Sequence, residues 1–522
     1  MDLKASEASK GSQIRTVFLI AVFIVAFSIL IQLIWLSFYF VPAGDDFFGI
    51  KYLAKLGFWG VNKFVYDSWD ARYTATFLSI SFFNWIGPNY YGFSGLILIA
   101  LTLISFFWLF LHLVSQDYFE SHVYPRCRLA SFTLIFWAFY WVLAKPDVIG
   151  NSDFVLVGQF FYNAGAYCYQ TSLILMALIF SGLIDFHRAV SPRSTRSRGV
   201  LGGLIIICLF LLVGTNEGAV LMMMLSIFYG LYRFLVDPIK QNKNSQRFSS
   251  NLLFWILMFF ILTALLIFVI YASGDQQRIL YYQMKPDIYF LDHDWLFSIT
   301  NATTETFFLL IFFIGNPVVW FLAWLFYPEL NSFMKARSHW LPEQDFWVIL
   351  IGLIWVGFFS VAWSMGCDAP PRYYGLMATL GFFTSLGLWT LWAEKFRQRF
   401  LRKNKLAWLG LVIAGISLVL SIGFYQDFLP VMSDLPVAIK KGPEFKKSYE
   451  NIVKKLKQAQ AEKQKEIILT PAEFLPQVPL LDYFIALPRH RFENNLNMNE
   501  RTKLLAEDLA YHYGVDRVVI HG

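Results

Sequence analysis

A run of about 20 apolar residues is long enough, as a helix, to cross about 30 Å of hydrocarbon. This chain has eleven such runs. They cover 16–38, 92–114, 129–145, 166–186, 199–214, 218–236, 251–272, 305–328, 345–364, 373–393 and 406–426. The first is too long for the apolar core of a signal peptide and lacks a small-residue cleavage site, so it reads as the first span. Composition agrees. Apolar residues make up 57% of the chain and charged residues 15%, against roughly 45–50% and 25% in soluble proteins. A soluble enzyme, a disordered chain and a disulfide scaffold are all excluded. The expected fold class is an all-α polytopic membrane protein of about eleven transmembrane helices.

The scarce charges carry the organisation. Residues 427–522 hold 14 Lys/Arg and 13 Asp/Glu, the density of a soluble domain, whereas 1–426 is sparsely charged. The chain therefore divides into a membrane body, 1–426, and a soluble tail, 427–522. The net charge of +7 sits almost wholly in the body, where excess Lys/Arg orients spans. No nucleic-acid-binding motif accompanies it, so no nucleic-acid partner is expected. The four cysteines, Cys127, Cys168, Cys208 and Cys367, show no C-x-x-C spacing and read as small apolar fillers.

Basic loops mark the cytoplasmic side. They are 187–198, 237–247, 335–339 and 394–405, joined by Arg126 and Arg128 and by Lys4, Lys10 and Arg15 at the N-terminus. All fall on one side only if the short, Pro88-interrupted segment 73–90 does not cross. It is therefore read as a juxtamembrane or re-entrant helix in a first outer loop, 41–91. The N-terminus is then cytoplasmic and the tail lies outside. In the tail, 447–464 and 500–514 read as helices and 466–471 and 516–522 as strands, giving a small α/β domain.

This topology collects the polar residues of interest at the outer face. Asp45 and Asp46 follow the first span directly. Adjacent carboxylates beside a bilayer are costly unless solvated, paired or used, and pairing can raise the basicity of one of them. A solvated acidic loop is the plain alternative. Further along stand Trp69, Asp70 and Arg72, after Lys51, Lys55 and Lys63 at amphipathic spacing. Asn216 and Glu217 interrupt an apolar run; an ordinary hairpin turn would do the same. Asp368, Arg372 and Tyr373 flank a Pro-Pro turn, where Arg372 could hold a lipid phosphate or simply snorkel. Tyr162 and Asn163 lead into the fourth span, either as an interfacial belt or as an aromatic-amide surface suited to carbohydrate. No P-loop, G-x-S-x-G or H-E-x-x-H motif occurs.

An acidic pair after the first span, a long outer loop, about eleven spans and an outer tail resemble the GT-C superfamily of membrane glycosyltransferases. GDDF (44–47), WDARY (69–73), YNAGAYCY (162–169), TNEG (215–218) and PPRYYG (370–375) resemble, more narrowly, a bacterial polytopic family related to GtrC-type O-antigen glucosyltransferases. The resemblance spans most of 40–375. It implies transfer of a sugar from a polyprenyl-phosphate carrier to a glycan, lipid or protein acceptor at the outer (periplasmic) face of the bacterial cytoplasmic membrane. By the same resemblance Asp45 or Asp46 is the general base. Arg372, then Arg72, would hold the phosphate, and Asn216 and Glu217 would bind hydroxyls, with Trp69, Asp70, Tyr162, Asn163, Asp368 and Tyr373 completing the binding surface. No cofactor is expected; relatives differ in metal use, which leaves a divalent metal at the acidic pair open. The tail would bind acceptor, cap the cavity or engage an envelope-assembly partner. Two other readings compete: a glycolipid transporter or flippase, and a non-catalytic membrane subunit of an envelope assembly.

Overall fold

The first apolar run forms one long helix, α1 (Asp2–Ser37), whose two ends meet different parts of the chain. Arg15 donates hydrogen bonds to the carbonyls of Leu325 (2.9 Å) and Trp324. Ser37, at the other end, lies against Gly92. These contacts define an Arg15 end and a loop end for the whole bundle. The computed structural model describes residues 2–42, 45–68, 71–122, 124–143, 163–188, 195–236, 245–273, 295–338, 343–365, 371–400, 430–464, 466–469 and 517–520.

Side-chain contacts trace the later helices back and forth between these ends. Helix α4 (Gly92–Leu113) starts at the loop end and brings His112 to Asp185 (3.0 Å) at the other. After the short helix α5 (Gln116–Ser121), helix α6 (Pro125–Leu143) runs back, from the Arg128–Glu329 ion pair (2.7 Å) to a hydrogen bond from Tyr140 to the Gly375 carbonyl (2.6 Å). Helix α7 (Asn163–Arg188) starts at the loop end, and α8 (Thr195–Val213) finishes there, where the Gly214 carbonyl accepts from the Ala75 amide (3.0 Å). Helix α9 (Glu217–Val236) starts from the same turn. Helix α10 (Ser245–Ile270) stacks Phe254 on Phe186 (3.9 Å) near one end and Phe268 on Tyr66 (6.5 Å) near the other. Helices α11 (Trp295–Gly315), α14 (Glu343–Met365) and α15 (Pro371–Phe400) continue the alternation, with Trp295 against Trp363 at the loop end and Trp389 bonded to the Ile314 carbonyl at the other.

Six of these helices contain stretches long and apolar enough to cross a membrane: Arg15–Ser37, Gly92–Leu113, Gly165–Phe186, Leu252–Ile270, Trp295–Gly315 and Tyr373–Ala393. Shorter apolar segments lie in α8, α9 and α14. The expected span 406–426 lies outside the described residues. The four basic sequence segments all join on to helix ends at the Arg15 end.

Two sequence expectations are sharpened. The segment 73–90 forms α3 (Tyr73–Trp85), then a 3-10 turn, Pro88–Tyr90. Thirteen helical residues reach only about 20 Å, too short to cross, and Gly87, at φ 87°, ends them in a conformation that favours glycine. The expected span 305–328 is instead α11, which begins earlier, at Trp295. It stops at Gly315 because Asn316 caps a new helix, accepting from the Val318 amide (2.9 Å), and Pro317 opens it. That helix is α12 (Pro317–Leu325), followed by α13 (Tyr327–Ser338).

Helix α2 (Asp45–Ser68) follows α1, and α3 packs along it. Gly57 (φ 69°, ψ 175°) kinks α2. Val61, Val65 and Ile80 bury between the two helices, while Trp59 and Trp85 remain exposed, as suits an interfacial hairpin. Gly92 lets α4 cross the end of α1, because a Cβ there would overlap the Ser37 carbonyl. Gly92→Ala is therefore expected to lower stability by about 1–3 kcal/mol or more, read as a drop in the unfolding midpoint in detergent; an unchanged midpoint would contradict this packing.

The tail begins as α16 (Pro430–Ala461). Leu435, Ala438, Phe445, Ile452, Leu456 and Ala459 form its buried stripe, the apolar face of an amphipathic helix. It packs against α1 and α6. Gly442 lies on the Tyr39 ring, and Lys446 Nζ donates to the Phe38 carbonyl (2.8 Å). Strands β1 (Glu466–Leu469) and β2 (Arg517–Ile520) pair in parallel, with Glu466 opposite Arg517. The helix expected at 500–514 lies outside the described residues.

Candidate functional site

Asp46 is buried, 1% exposed, one residue into α2. Tyr91, just before α4, donates its hydroxyl to Asp46 Oδ2. One turn further along α4, the Ser94 hydroxyl donates to the Tyr167 hydroxyl of α7 (3.0 Å). A buried carboxylate must be hydrogen-bonded or paired to stay charged, and Tyr91 supplies one such bond while fixing the group's position.

The second group stands on the turn between α8 and α9. Arg72 Nε and Nη2 both reach Glu217 Oε2, at 3.2 and 3.0 Å. The side chains are 20% and 24% exposed, so the pair is reachable from the loop end. Asn216 is buried and caps α9 by accepting from the Ala219 amide (3.1 Å). Its side-chain oxygen is engaged in that cap. Tyr373 is buried and donates to the Gly357 carbonyl (3.0 Å) beside the Ser360 hydroxyl (3.0 Å). Gly218 leaves room for that phenol, since a Cβ there would overlap the Tyr373 hydroxyl. Gly218→Ala is expected to push Tyr373 off the Gly357 carbonyl and lower stability by about 1–3 kcal/mol, measured by thermal unfolding; Gly218→Ser should cost at least as much.

Helix α7 stands between the two groups. Tyr167, with Gln170 bonded to Thr102 (2.6 Å), faces α4 and the Asp46 side. Tyr169 meets the Tyr373 ring edge-on (5.5 Å), and Ser172 bonds Thr215 (2.8 Å) on the Glu217 side. Two residues along a helix are about 200° apart, so Asp46 and Glu217 lie on opposite faces of α7. The expected single outer constellation is therefore two clusters flanking the start of α7. Asn163 is the first residue of that helix.

Of the other sequence candidates, Trp69, Asp70, Tyr162 and Asp368 lie outside the described residues. Asp45 opens α2 and Arg372 is the second residue of α15, next to Tyr373; their side chains are likewise outside the description. Among the described residues no three His, Cys, Asp or Glu side chains come together as a metal-binding group.

The structure also brings together residues that sequence reasoning passed over. Glu305, 3% exposed in α11, accepts from the Tyr374 hydroxyl (2.9 Å). A buried acid inside an apolar helix is a functional candidate by default; its signal was a lone glutamate, misplaced at a span boundary. At the Arg15 end Glu329 is fully buried and takes hydrogen bonds at Oε1 from Arg128 (2.7 Å) and Tyr118 (3.0 Å). Burial, then the Glu329 carboxylate, holds the Tyr118 phenol above its ordinary range.

Fold and polar clusters together define a multi-pass, all-α membrane protein with buried carboxylates at both ends of its helix bundle. Comparison with protein-family models, curated proteins and solved structures gave no match to this chain.

Proposed function

We propose that the chain is an integral-membrane glycosyltransferase. It takes a sugar from a polyprenyl-phosphate-linked donor and passes it to a glycan, lipid or protein acceptor outside the bacterial cytoplasmic membrane. The observation that carries this reading is the polar loop end, where buried Asp46 and the Arg72–Glu217 pair flank the start of α7, opposite the end to which all the basic segments attach. In this reading eleven spans start from a cytoplasmic N-terminus, with 406–426 as the last. The tail is then a small periplasmic α/β domain. Asp46 or Asp45 takes the proton of the acceptor hydroxyl, and a fixed carboxylate suits that task. The phosphate leaving group needs cations. Arg372 and Arg72 would supply them, and Arg72 is already held in place by Glu217. Donor, acceptor and surrounding lipids are the partners, and the tail is the surface for an envelope-assembly protein.

A glycolipid transporter is the second reading, favoured by Glu305 buried inside α11. The purified protein in proteoliposomes with a labelled polyprenyl-phosphate sugar separates the two. Covalent transfer to acceptor supports the transferase; flux of labelled lipid without a covalent product supports the transporter. Full transfer activity in Asp45→Asn, Asp46→Asn and the double variant would remove the base assignment.

A further inference from the structure

A cavity of about 310 Å³ opens between the 3-10 turn Pro88–Tyr90 and helix α16, lined by Asn89, Tyr449, Glu450, Val453, Lys454 and Lys457. It belongs to neither cluster described above. Its level in the membrane is marked by the rings beside it. Trp35, Phe38, Tyr90 and Phe93 are exposed; Trp35 touches Tyr39, and Phe38, Phe93 and Tyr90 form a second set in which Phe93 meets the other two. Trp and Tyr rings concentrate at headgroup depth. Asn89 is the direct neighbour of Tyr90 in that set. The cavity therefore opens where lipid headgroups lie.

Its charges are specific. Lys454 and Lys457 are one turn apart and exposed, and Glu450 is exposed one turn before Lys454. Glu450 and Lys454 have the spacing of a helical ion pair, yet no ion pair closes between them among the described residues. Two ammonium groups and an amide suit a phosphate diester. A carboxylate at the same rim would repel a purely anionic headgroup but would pair with a headgroup ammonium. A phosphate monoester or a free anion gains nothing from Glu450.

We propose that this cleft binds the headgroup of a membrane phospholipid carrying both a phosphate and an ammonium, of the phosphoethanolamine class. Lys454, Lys457 and Asn89 hold the phosphate, and Glu450 holds the ammonium. Bound there, the lipid seals α16 to the rim of the membrane body. The site needs only the membrane character of the chain and is independent of the glycosyltransferase reading.

Lipid capture by the delipidated full-length protein, read by native mass spectrometry, tests this. Phosphatidylethanolamine and phosphatidylglycerol of equal chain length are offered in turn, with inorganic phosphate as competitor. The wild type should retain phosphatidylethanolamine preferentially. Lys454→Gln with Lys457→Gln should weaken that retention by about tenfold, the loss of two solvent-exposed charge contacts to the phosphate. Glu450→Gln should abolish the preference while leaving capture of phosphatidylglycerol intact or improved. All three residues are exposed on α16, so the fold should survive; Asn89→Ala gives an independent loss on the opposite wall. Equal capture of both lipids by wild type, unchanged capture by the lysine variant, or full displacement by inorganic phosphate would each overturn the proposal.

Discussion

Arg128→Met is expected to destabilise the folded protein by about 3–5 kcal/mol, the cost of leaving one partner of a buried ion pair uncompensated. The Glu329 side chain is 1% exposed, and Arg128 Nε lies 2.7 Å from its Oε1. Without the guanidinium, the carboxylate keeps the Tyr118 hydroxyl at 3.0 Å on that same oxygen, while Oε2 is buried with no hydrogen-bond partner among the described residues. A phenol contributes a hydrogen bond but no charge. The surroundings cannot relax freely, because Arg15 is tied to carbonyls of α12 and Ser115 to Ser332 of α13. The double variant Arg128→Met with Glu329→Leu should recover most of the loss, since an apolar pair of similar volume is often as stable as the ion pair it replaces. Unfolding midpoints of wild type, single and double variants in one detergent give the comparison. If the double variant is no more stable than Arg128→Met, the loss comes from packing of the arginine stem and the electrostatic account fails.

Hydropathy made the membrane body legible because lipid solvation acts on runs of about 20 residues, the scale at which sequence averages are reliable. The grouping of the basic segments at one end of the bundle was legible for the same reason, because it rests on many weak charges. In the short segment 73–90 charge placement argues against a crossing, and α3 is too short to make one. Pairings inside the bundle were hidden. Tyr91 and Asp46 are 45 residues apart, and Arg72 and Glu217 are 145 apart; neither separation has a periodic signal. The division of the loop-end residues by α7 was hidden too, because it depends on the rotation of one helix about its axis. Tyr167 and Tyr169 look like one aromatic cluster in sequence, yet a two-residue step turns them to opposite sides. Glu305 and Glu329 were missed because each sits at a misplaced span boundary, where a charge looks like a loop residue.

On the glycosyltransferase proposal with Asp46 as the base, Asp46→Asn is expected to lower kcat for sugar transfer by about 10²–10⁴, the usual contribution of a general base, with KM changed little. The asparagine keeps an oxygen to accept from Tyr91, so the fold should be retained and its unfolding midpoint close to that of wild type. Tyr91→Phe leaves the carboxylate but removes the donor that fixes it. A hydrogen bond to a charged group contributes about 1.5–3 kcal/mol, so this variant should lose roughly 10- to 100-fold in kcat. Glu217→Gln acts on the far side of α7. It releases Arg72 from its ion pair, and the expected signature is a raised KM for donor with kcat largely kept. That split follows from the separation of the two clusters. A group that only binds changes KM, while a group engaged in the transition state changes kcat. If Asp45 were the base, Asp45→Asn would carry the kcat loss and Tyr91→Phe would be silent. If Glu217→Gln and Asp46→Asn both lowered kcat to the same degree, the two clusters would act as one site reached over the start of α7, and the assignment of separate roles would fall.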